Sequence, residues 1–438
     1  MRYTPRQKKL KLKYKIAIPF FVLFFCVGYL VLNIHQKQQI EAKKFQICDF
    51  SKDKTVNTLH KNYKDTFEMQ DHLFYGEHLG VYSTPYTGDA NDDKITGKTL
   101  ILKNLCDGEE YANVIGKGVD QKIKLGDLSI GYYEVYVVED LKQKRVFSNI
   151  PFESSIKTIT RNNNNKRIKV LSNQDILDDY NKSLDKGYVF IEVKNTTLAT
   201  DEYDIAIDPS GNDTDFTYTA SKGNSGNGLV EATETYKAAV LLKKELEAKG
   251  LKVLILRDKS EVVNTYGSEG KLAKAYKGNA KMYINLRFEE AEESPNFRGM
   301  DVYYSAHASK ILADKMMFDL IKKVAVHPST IHMGVGDSPG VIQSLLYESE
   351  LDGRAVYDND ITIRESGGKA TQAGMYSKNT KAGTAAFAKD NLYGMQSISI
   401  NLGYVSNTSD ANMWKKHSQD MMSSIATSLL SYLKVGDT

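Results

Sequence analysis

The chain has 438 residues, enough for two or three domains, each with its own core. Eight prolines and 41% hydrophobic residues exclude a disordered or fibrous polymer. The net charge of +3 misleads, because seven Lys/Arg and no acid fall in the first fifteen positions. The remainder is slightly acidic and offers no electrostatic footprint for nucleic acid.

Residues 1–15 form a basic tail containing RYTPRQKKLKLKYK. The uncharged run at 16–34, IAIPFFVLFFCVGYLVLNI, is long enough to cross a bilayer at about 1.5 Å per residue. The positive-inside rule puts the basic end in the cytoplasm. No small-x-small cleavage site follows, so the run reads as a retained signal anchor. The expected location is the cell membrane, single-pass, with the bulk of the chain extracytoplasmic. Cys26 lies inside the span, which leaves Cys48 and Cys106 outside it. A disulfide between them suits that compartment, although two cysteines without a spacing motif do not decide it. Neither has neighbours placed to complete a metal site.

Residues 35–66 are polar and read as a stalk. Residues 67–200 carry short strand-like runs, among them HLGVYSTPY, KTLILKNL and GYYEVYVVE, separated by turn residues. That rhythm predicts a small β-sandwich or barrel. Tyr132, Tyr133, Val135, Tyr136 and Val137 have the aromatic and β-branched bias of a packed strand. No aromatic platform or charged cluster marks this region as a binding module, so it reads as a spacer or scaffold. The four asparagines within 161–166 predict an exposed loop, and YVFIEVKN another strand.

Residues 203–436 alternate strand and helix. YDIAID, LKVLIL, KMYINL, MDVYY and SISINL read as strands. EATETYKAAVLLKKELEAKG reads as a helix, with Ala232, Tyr236, Ala239, Val240 and Leu246 at helical spacing and Gly250 as its stop. Residues 310–326 and 413–433 carry similar periodicity. The predicted fold class is therefore α/β: a mostly parallel sheet flanked by helices, behind a β-sandwich-like domain and a transmembrane helix. In such sheets chemistry collects beyond the carboxyl ends of the strands. Gly211, Arg287 and Asn401 fall at or near such ends, and Glu231 opens the first helix toward the same rim.

Four runs carry a resemblance. Asp208-Pro209-Ser210-Gly211-Asn212 follows the first strand, and Gly228-Leu229-Val230-Glu231 opens the helix. Asn285-Leu286-Arg287-Phe288-Glu289 ends the third strand, and Ile400-Asn401-Leu402-Gly403-Tyr404-Val405-Ser406-Asn407 ends the last. This layout resembles the zinc-dependent N-acetylmuramoyl-L-alanine amidases, which hydrolyse peptidoglycan. The family's corresponding runs are Asp-Pro-Gly-His-Gly, Gly-x-x-Glu, Ser-Ile/Leu-His-x-Asn and Val-Glu-x-Gly-Phe-x-Ser-Asn. By this resemblance Glu231 is the one retained zinc-ligand position. Gly211 and Arg287 stand where the ligand histidines belong, and Asn401 replaces the catalytic Glu. Leu256-Arg257 is similar to the family's Thr-Arg pair, and 365–379 to a loop found in some members.

The resemblance implies a degenerate site at Gly211, Glu231, Arg287 and Asn401, with Asp208, Asn212, Arg257, Tyr404 and Asn407 along a groove. A hydrolytic zinc needs about three protein ligands and an open position, with a carboxylate beside its water. Neither metal nor catalytic residue is therefore expected, whereas zinc serves active relatives. The expected function is a membrane-anchored pseudo-amidase that binds peptidoglycan stem peptide or glycan, or that regulates a partner hydrolase or other envelope protein. Two alternatives stay open: an active zinc amidase with a non-standard ligand set, for which His307, His327 and His332 are candidates, and a structural component of an envelope complex. A further expectation is that Arg287 fills the vacated metal position and pairs with Glu231.

Overall fold

A computed structural model describes residues 63–86, 93–150, 153–161, 164–172, 186–196, 202–214, 220–291, 296–329, 338–344, 347–348, 355–356, 360–368 and 393–435. The basic tail, the apolar run at 16–34, most of the stalk and His332 lie outside them. So do residues 162–163 of the asparagine loop and 369–379 of the loop beginning at Glu365. Among the described residues no helix is long and apolar enough to cross a membrane.

In the N-terminal half, strands β1 (Thr66–Glu68), β2 (Asp71–Tyr75), β3 (His78–Tyr82), β4 (Thr99–Asn104), β5 (Glu110–Val114), β6 (Ile123–Lys124), β7 (Gly131–Glu139), β8 (Lys142–Phe147), β9 (Glu153–Arg161), β10 (Asn164–Leu171) and β11 (Phe190–Asn195) form two sheets. One has the order β1-β8-β7-β11-β10-β9, with β4 bridging β5 to β7. The other contains β2-β3-β6. Phe74, Leu79, Val81 and Ile123 from the smaller sheet share one apolar core with Leu102, Val135, Val137, Ile168 and Val193 from the larger. Alternation along β7 sends Val135 and Val137 inward and leaves Tyr136 on the outer face.

That outer face holds a buried arginine. Arg145 Nη1 donates to the carbonyls of Val135, Val146 and Val189 at 2.9, 3.1 and 2.7 Å. The rings of Tyr63, Tyr136, Tyr188 and Phe190 surround its guanidinium at 4.7–5.7 Å. Tyr63, the first described residue, closes this cage and donates its hydroxyl to Glu134 at 2.6 Å. Cys106, in the turn after β4, is disulfide-bonded.

The C-terminal half is built on a six-stranded sheet from β12 (Ile205–Pro209), β13 (Val253–Ile255), β14 (Met282–Glu289), β15 (Asp301–Ser305), β16 (Val341–Ser344) and, after the two-residue β17 (Tyr393–Gly394), β18 (Gln396–Tyr404). Its order is β13-β12-β14-β18-β15-β16. The first four strands run parallel, but β15 is antiparallel to β18 and carries β16 with it. Helices α1 (Glu231–Glu247), α3 (Ile311–Val324) and α4 (Thr408–Leu433) cover one face. There they pack on Ile205, Ile207, Ile284, Leu286, Ile398 and Ile400. The short helix α2 (Lys271–Lys277) covers the other, against Ala206 and Tyr283.

Two expectations need correction. Val240 is 44% exposed, because α1 buries Ala238, Ala239, Leu242 and Leu246 instead. The helix α2 was not expected; its seven residues are too few to establish a periodicity. Gly250 does end the α1 region, at φ +87°, where a side chain would be strained.

The two halves are joined. β17 pairs in parallel with β2, Phe74 opposite Tyr393 and Tyr75 opposite Gly394. Ser397 N donates to Tyr75 Oη at 3.3 Å, and Val119 N to His307 O at 2.9 Å. Asp120 accepts from Ser309 N and Oγ at 2.7 and 2.8 Å. Lys434 pairs with Asp127 at 2.7 Å, and Lys124 Nζ donates to Tyr432 O. A chain cut to residues 202–438 loses these partners and exposes β17 and α4. Its melting temperature is expected several degrees below that of residues 63–438, with greater binding of an apolar dye. Equal melting temperatures would show that the junction contributes nothing.

Candidate functional site

At the carboxyl ends of β12 and β14 lies a cleft of about 360 Å³. Ser210, Gly211 and Asp213 line it from the loop after β12, and Ser221, Gly223, Asn224 and Glu231 from the approach to α1. Asn285, Arg287, Phe288 and Glu289 line it from β14, and Thr362 from the short helix after Asp360.

Under the cleft sits a buried polar network. Lys271, from α2, reaches past the sheet to Asp208 at the end of β12, 2.8 Å away. It also pairs with Asp213 and donates to Pro209 O at 3.2 Å. Asp208 Oδ2 accepts from Tyr283 Oη at 2.7 Å and Asn285 Nδ2 at 3.0 Å. Ser399 Oγ donates to Asn285 Oδ1 at 2.8 Å. Burial opposes the charge on Lys271, yet the two carboxylates hold its pKa above the usual lysine value. Burial raises Asp213 despite Lys271 beside it.

Glu231 acts as a brace. Its Oε1 accepts from Phe288 N and its Oε2 from Asn224 N, both at 2.9 Å. The carboxylate thus ties the turn at 221–226 to β14. A Cβ on Gly223, at φ +75°, would overlap Glu231 Oε2, so only glycine fits there. Burial raises the Glu231 pKa to about 7, against the opposing effect of the two N–H donors.

Arg287 is engaged elsewhere. Its Nη1 donates to Asp360 at 3.0 Å and its Nη2 pairs with Glu289 at 3.2 Å, while the guanidinium lies 4.5 Å from the Tyr303 ring centre. Burial opposes its charge, but Asp360 and Glu289 raise its pKa above the ordinary arginine value. The expected pairing of Arg287 with Glu231 is therefore wrong. Each Glu231 oxygen accepts a backbone amide, and Asp360 and Glu289 take the guanidinium.

The structure brings Gly211, Glu231 and Arg287 to one cleft, as expected, but Asn401 is fully buried and absent from the lining. It is the register partner of Arg287 on β18, and its amide turns inward to Asp301 at 3.4 Å and to Gly403 N at 3.1 Å. The groove candidates also prove to be supports. Asp208 lies under the floor. Arg257 is buried and clasps the carbonyls of Pro209, Ser210 and Ala232 at 2.7–3.1 Å, locking the β12 loop to α1. Asn212, at φ +53°, donates to Lys259 O. Tyr404 is buried with its N–H on Asp410, and Asn407 caps α4 through Ser409 N and Asp410 N. His307 is buried at the junction with the N-terminal half, and His327 is exposed. Among the described residues no three His, Cys, Asp or Glu are grouped to hold a metal ion.

The profile of the N-acetylmuramoyl-L-alanine amidases matches residues 205–431, just over half of the chain. The chain belongs to that family. Similar solved structures include the amidase AmiC2 of Nostoc punctiforme, at 18% identity and TM-score 0.35, covering 52% of this chain and 96% of that one. The catalytic domain of CwlV from Bacillus (Paenibacillus) polymyxa var. colistinus matches at 17% identity and TM-score 0.35, covering 53% and 98%. The CwlD amidase from Clostridioides difficile, solved in complex with the GerS lipoprotein, matches at 15% and 0.31, covering 53% and 99%. No curated protein matches the chain.

Sequence reasoning missed Lys271, Asp213 and Asp360. Asp213 lies five residues past Asp208 and could have been found as a second acid in the family's first loop. Lys271 and Asp360 carry no local signal.

Two outcomes are expected. Lys271→Met leaves Asp208 buried without its cation and costs about 3–5 kcal/mol in denaturant unfolding; a loss below about 1 kcal/mol would deny the pair its role. Glu231 binds its proton more tightly folded, at about 7 against an ordinary 4.5. Its contribution to stability is full below about pH 4.5 and is lost as pH rises through 7, by up to about 3 kcal/mol. Glu231→Gln should flatten that part of the stability–pH curve, and parallel curves for the two proteins would refute the assignment.

Proposed function

We propose that this member of the amidase family is a membrane-anchored, extracytoplasmic pseudo-amidase that binds peptidoglycan stem peptide or glycan without cutting it. The observation that carries this reading is that Glu231 is the one family ligand position still bearing a ligand side chain, and it is engaged by two backbone N–H groups. A hydrolytic zinc needs about three protein ligands, so Glu231 alone does not hold one.

The other residues at the family's ligand positions do not fit a zinc ion either. Arg287 brings a permanent cation to the cleft. Gly211 offers no donor, and a Cβ there would lie 2.7 Å from Ala232 N, Ala232 Cα and Lys222 O. The chain has closed over the space a histidine would need. Asn401 cannot take a proton from water, and its buried amide bonds to Asp301.

What persists is a polar cleft. Ser210, Ser221, Asn224, Asn285 and Thr362 line it with hydroxyl and amide groups suited to a peptide or glycan. Anchoring is supported by the apolar run at 16–34 and its basic flank.

The test combines three measurements on residues 63–438. Retention on purified sacculi, no release of stem peptide, and less than about a tenth of an equivalent of zinc after dialysis are expected. Near-stoichiometric zinc or amide cleavage would overturn the pseudo-amidase reading, and no retention would overturn wall binding. Restoring the family residues together, Gly211→His, Arg287→His and Asn401→Glu, is expected to yield neither zinc nor activity, because position 211 has no room. Recovery of either would refute that steric account.

A further inference from the structure

We infer that the cleft takes a primary ammonium, and so binds stem peptides whose diamino acid is free rather than cross-linked. This rests on the reading of the cleft as a peptidoglycan site, and within that reading it chooses the peptide over the glycan.

Two cations at the cleft are each held between two carboxylates. Lys271 lies between Asp208 and Asp213. Arg287 lies between Asp360, at 3.0 Å, and Glu289, at 3.2 Å. In each set the deeper carboxylate already balances the cation; the side chain is 2% exposed in Asp208 and 9% in Asp360. The second carboxylate faces the opening. Asp213 and Glu289 keep 32% and 26% of their side chains exposed, and both line the cleft. Each set therefore leaves one negative charge at the cleft surface. Arg257, buried behind the β12 loop, offsets one of these, and Glu231 adds another. Five carboxylates thus stand against three cations.

The donors argue the same way. Ser210 N donates to Leu286 O, Gly211 N to Asp213, Gly223 N to Ser221 Oγ, and both Asn224 N and Phe288 N to Glu231. A carboxylate or phosphate would meet engaged donors and a surplus of like charge. A sugar hydroxyl would leave that surplus in place. An ammonium has three donors and no acceptor, and it answers both conditions. A carboxylate accepts about four hydrogen bonds. Asp213 receives three, from Lys271, Thr265 and Gly211 N, which leaves a place for the ligand. Glu289 is held by Arg287 through Oε1. A volume of about 360 Å³ is near the small end of ligand pockets, and suits one residue and its neighbours rather than a run of sugars.

Cross-linking turns this amine into an amide, which has no charge and a single donor. The cleft thereby separates peptides already joined to a neighbour from those still open to it. The protein gathers where the wall is least cross-linked.

The test is a calorimetric titration of the full-length protein in detergent micelles. The probes are N-acetylmuramoyl-L-alanyl-γ-D-glutamyl-L-lysine and the same peptide acetylated on its side-chain amine. Acetylation is expected to weaken binding about tenfold or more, the loss of one charge-assisted contact. Glu289→Gln should weaken binding of the free amine several-fold, leave that of the acetylated peptide unchanged, and keep the parent melting temperature. Equal affinities for the two peptides would overturn this inference and leave wall binding standing. Binding of neither would also overturn it, and retention on sacculi then separates a glycan site from a failure of wall binding itself. Equal losses for both peptides in Glu289→Gln would show that this side chain only shapes the cleft, and would refute its role as amine acceptor.

Discussion

Everything that lines the cleft hangs from one buried ion pair, Lys271 with Asp208. Removing two charges from water is costly, and their attraction alone seldom repays it. Here the remaining capacity of Asp208 is met by Tyr283 and Asn285, and that of Lys271 by Asp213 and Pro209 O. The value of such a pair is positional. It pins α2, on one face of the sheet, to the end of β12, from which the loop to Gly211 and Asp213 departs. Arg257 fastens the same loop to α1 on the opposite face. A segment of small polar residues is thereby held from both sides without an apolar core of its own.

Above that floor, the charged side chains are held by partners within the chain. Glu231 joins two backbone segments, and Arg287 is drawn sideways by Asp360, which also caps the short helix beginning at Ile361. Each carboxylate or cation near the family's metal position now has an internal partner. The charges at the cleft are thereby engaged within the chain. The cleft stays open because those neighbours approach from its walls.

Much of this fold was legible in the sequence, and the reasons differ by element. Strands β12, β14 and β18 are apolar runs bounded by polar residues, and the structure places their ends within three residues of the runs read. The reversal of β15 left no local mark, because strand order is decided by distant partners. Position 240 was misread since a lone valine near an apolar stripe says little about which side of the stripe is inside. Spacing relative to strand ends located Gly211, Glu231 and Arg287 at one cleft. Contacts were a different matter: one of the two carboxylates that hold Arg287, Asp360, lies 73 residues away. Asn401 and Arg287 share a register yet face different company, which only the fold of Asp301 beside them decides.

The parallel pairing of β17 with β2 has a consequence for biogenesis. A chain synthesised from its N-terminus presents β2, β3 and β6 long before residues 393–394 arrive. Until then β2 is an open edge carrying Phe74 and Tyr75, and an unpaired apolar edge invites association with other chains. The last turns of α4, which hold Lys124 and Asp127, come later still. The N-terminal half must therefore wait, incomplete, for almost the whole polypeptide to be made. Slow synthesis, or a stop codon ahead of β17, would leave an N-terminal half whose open β2 edge invites association with other chains.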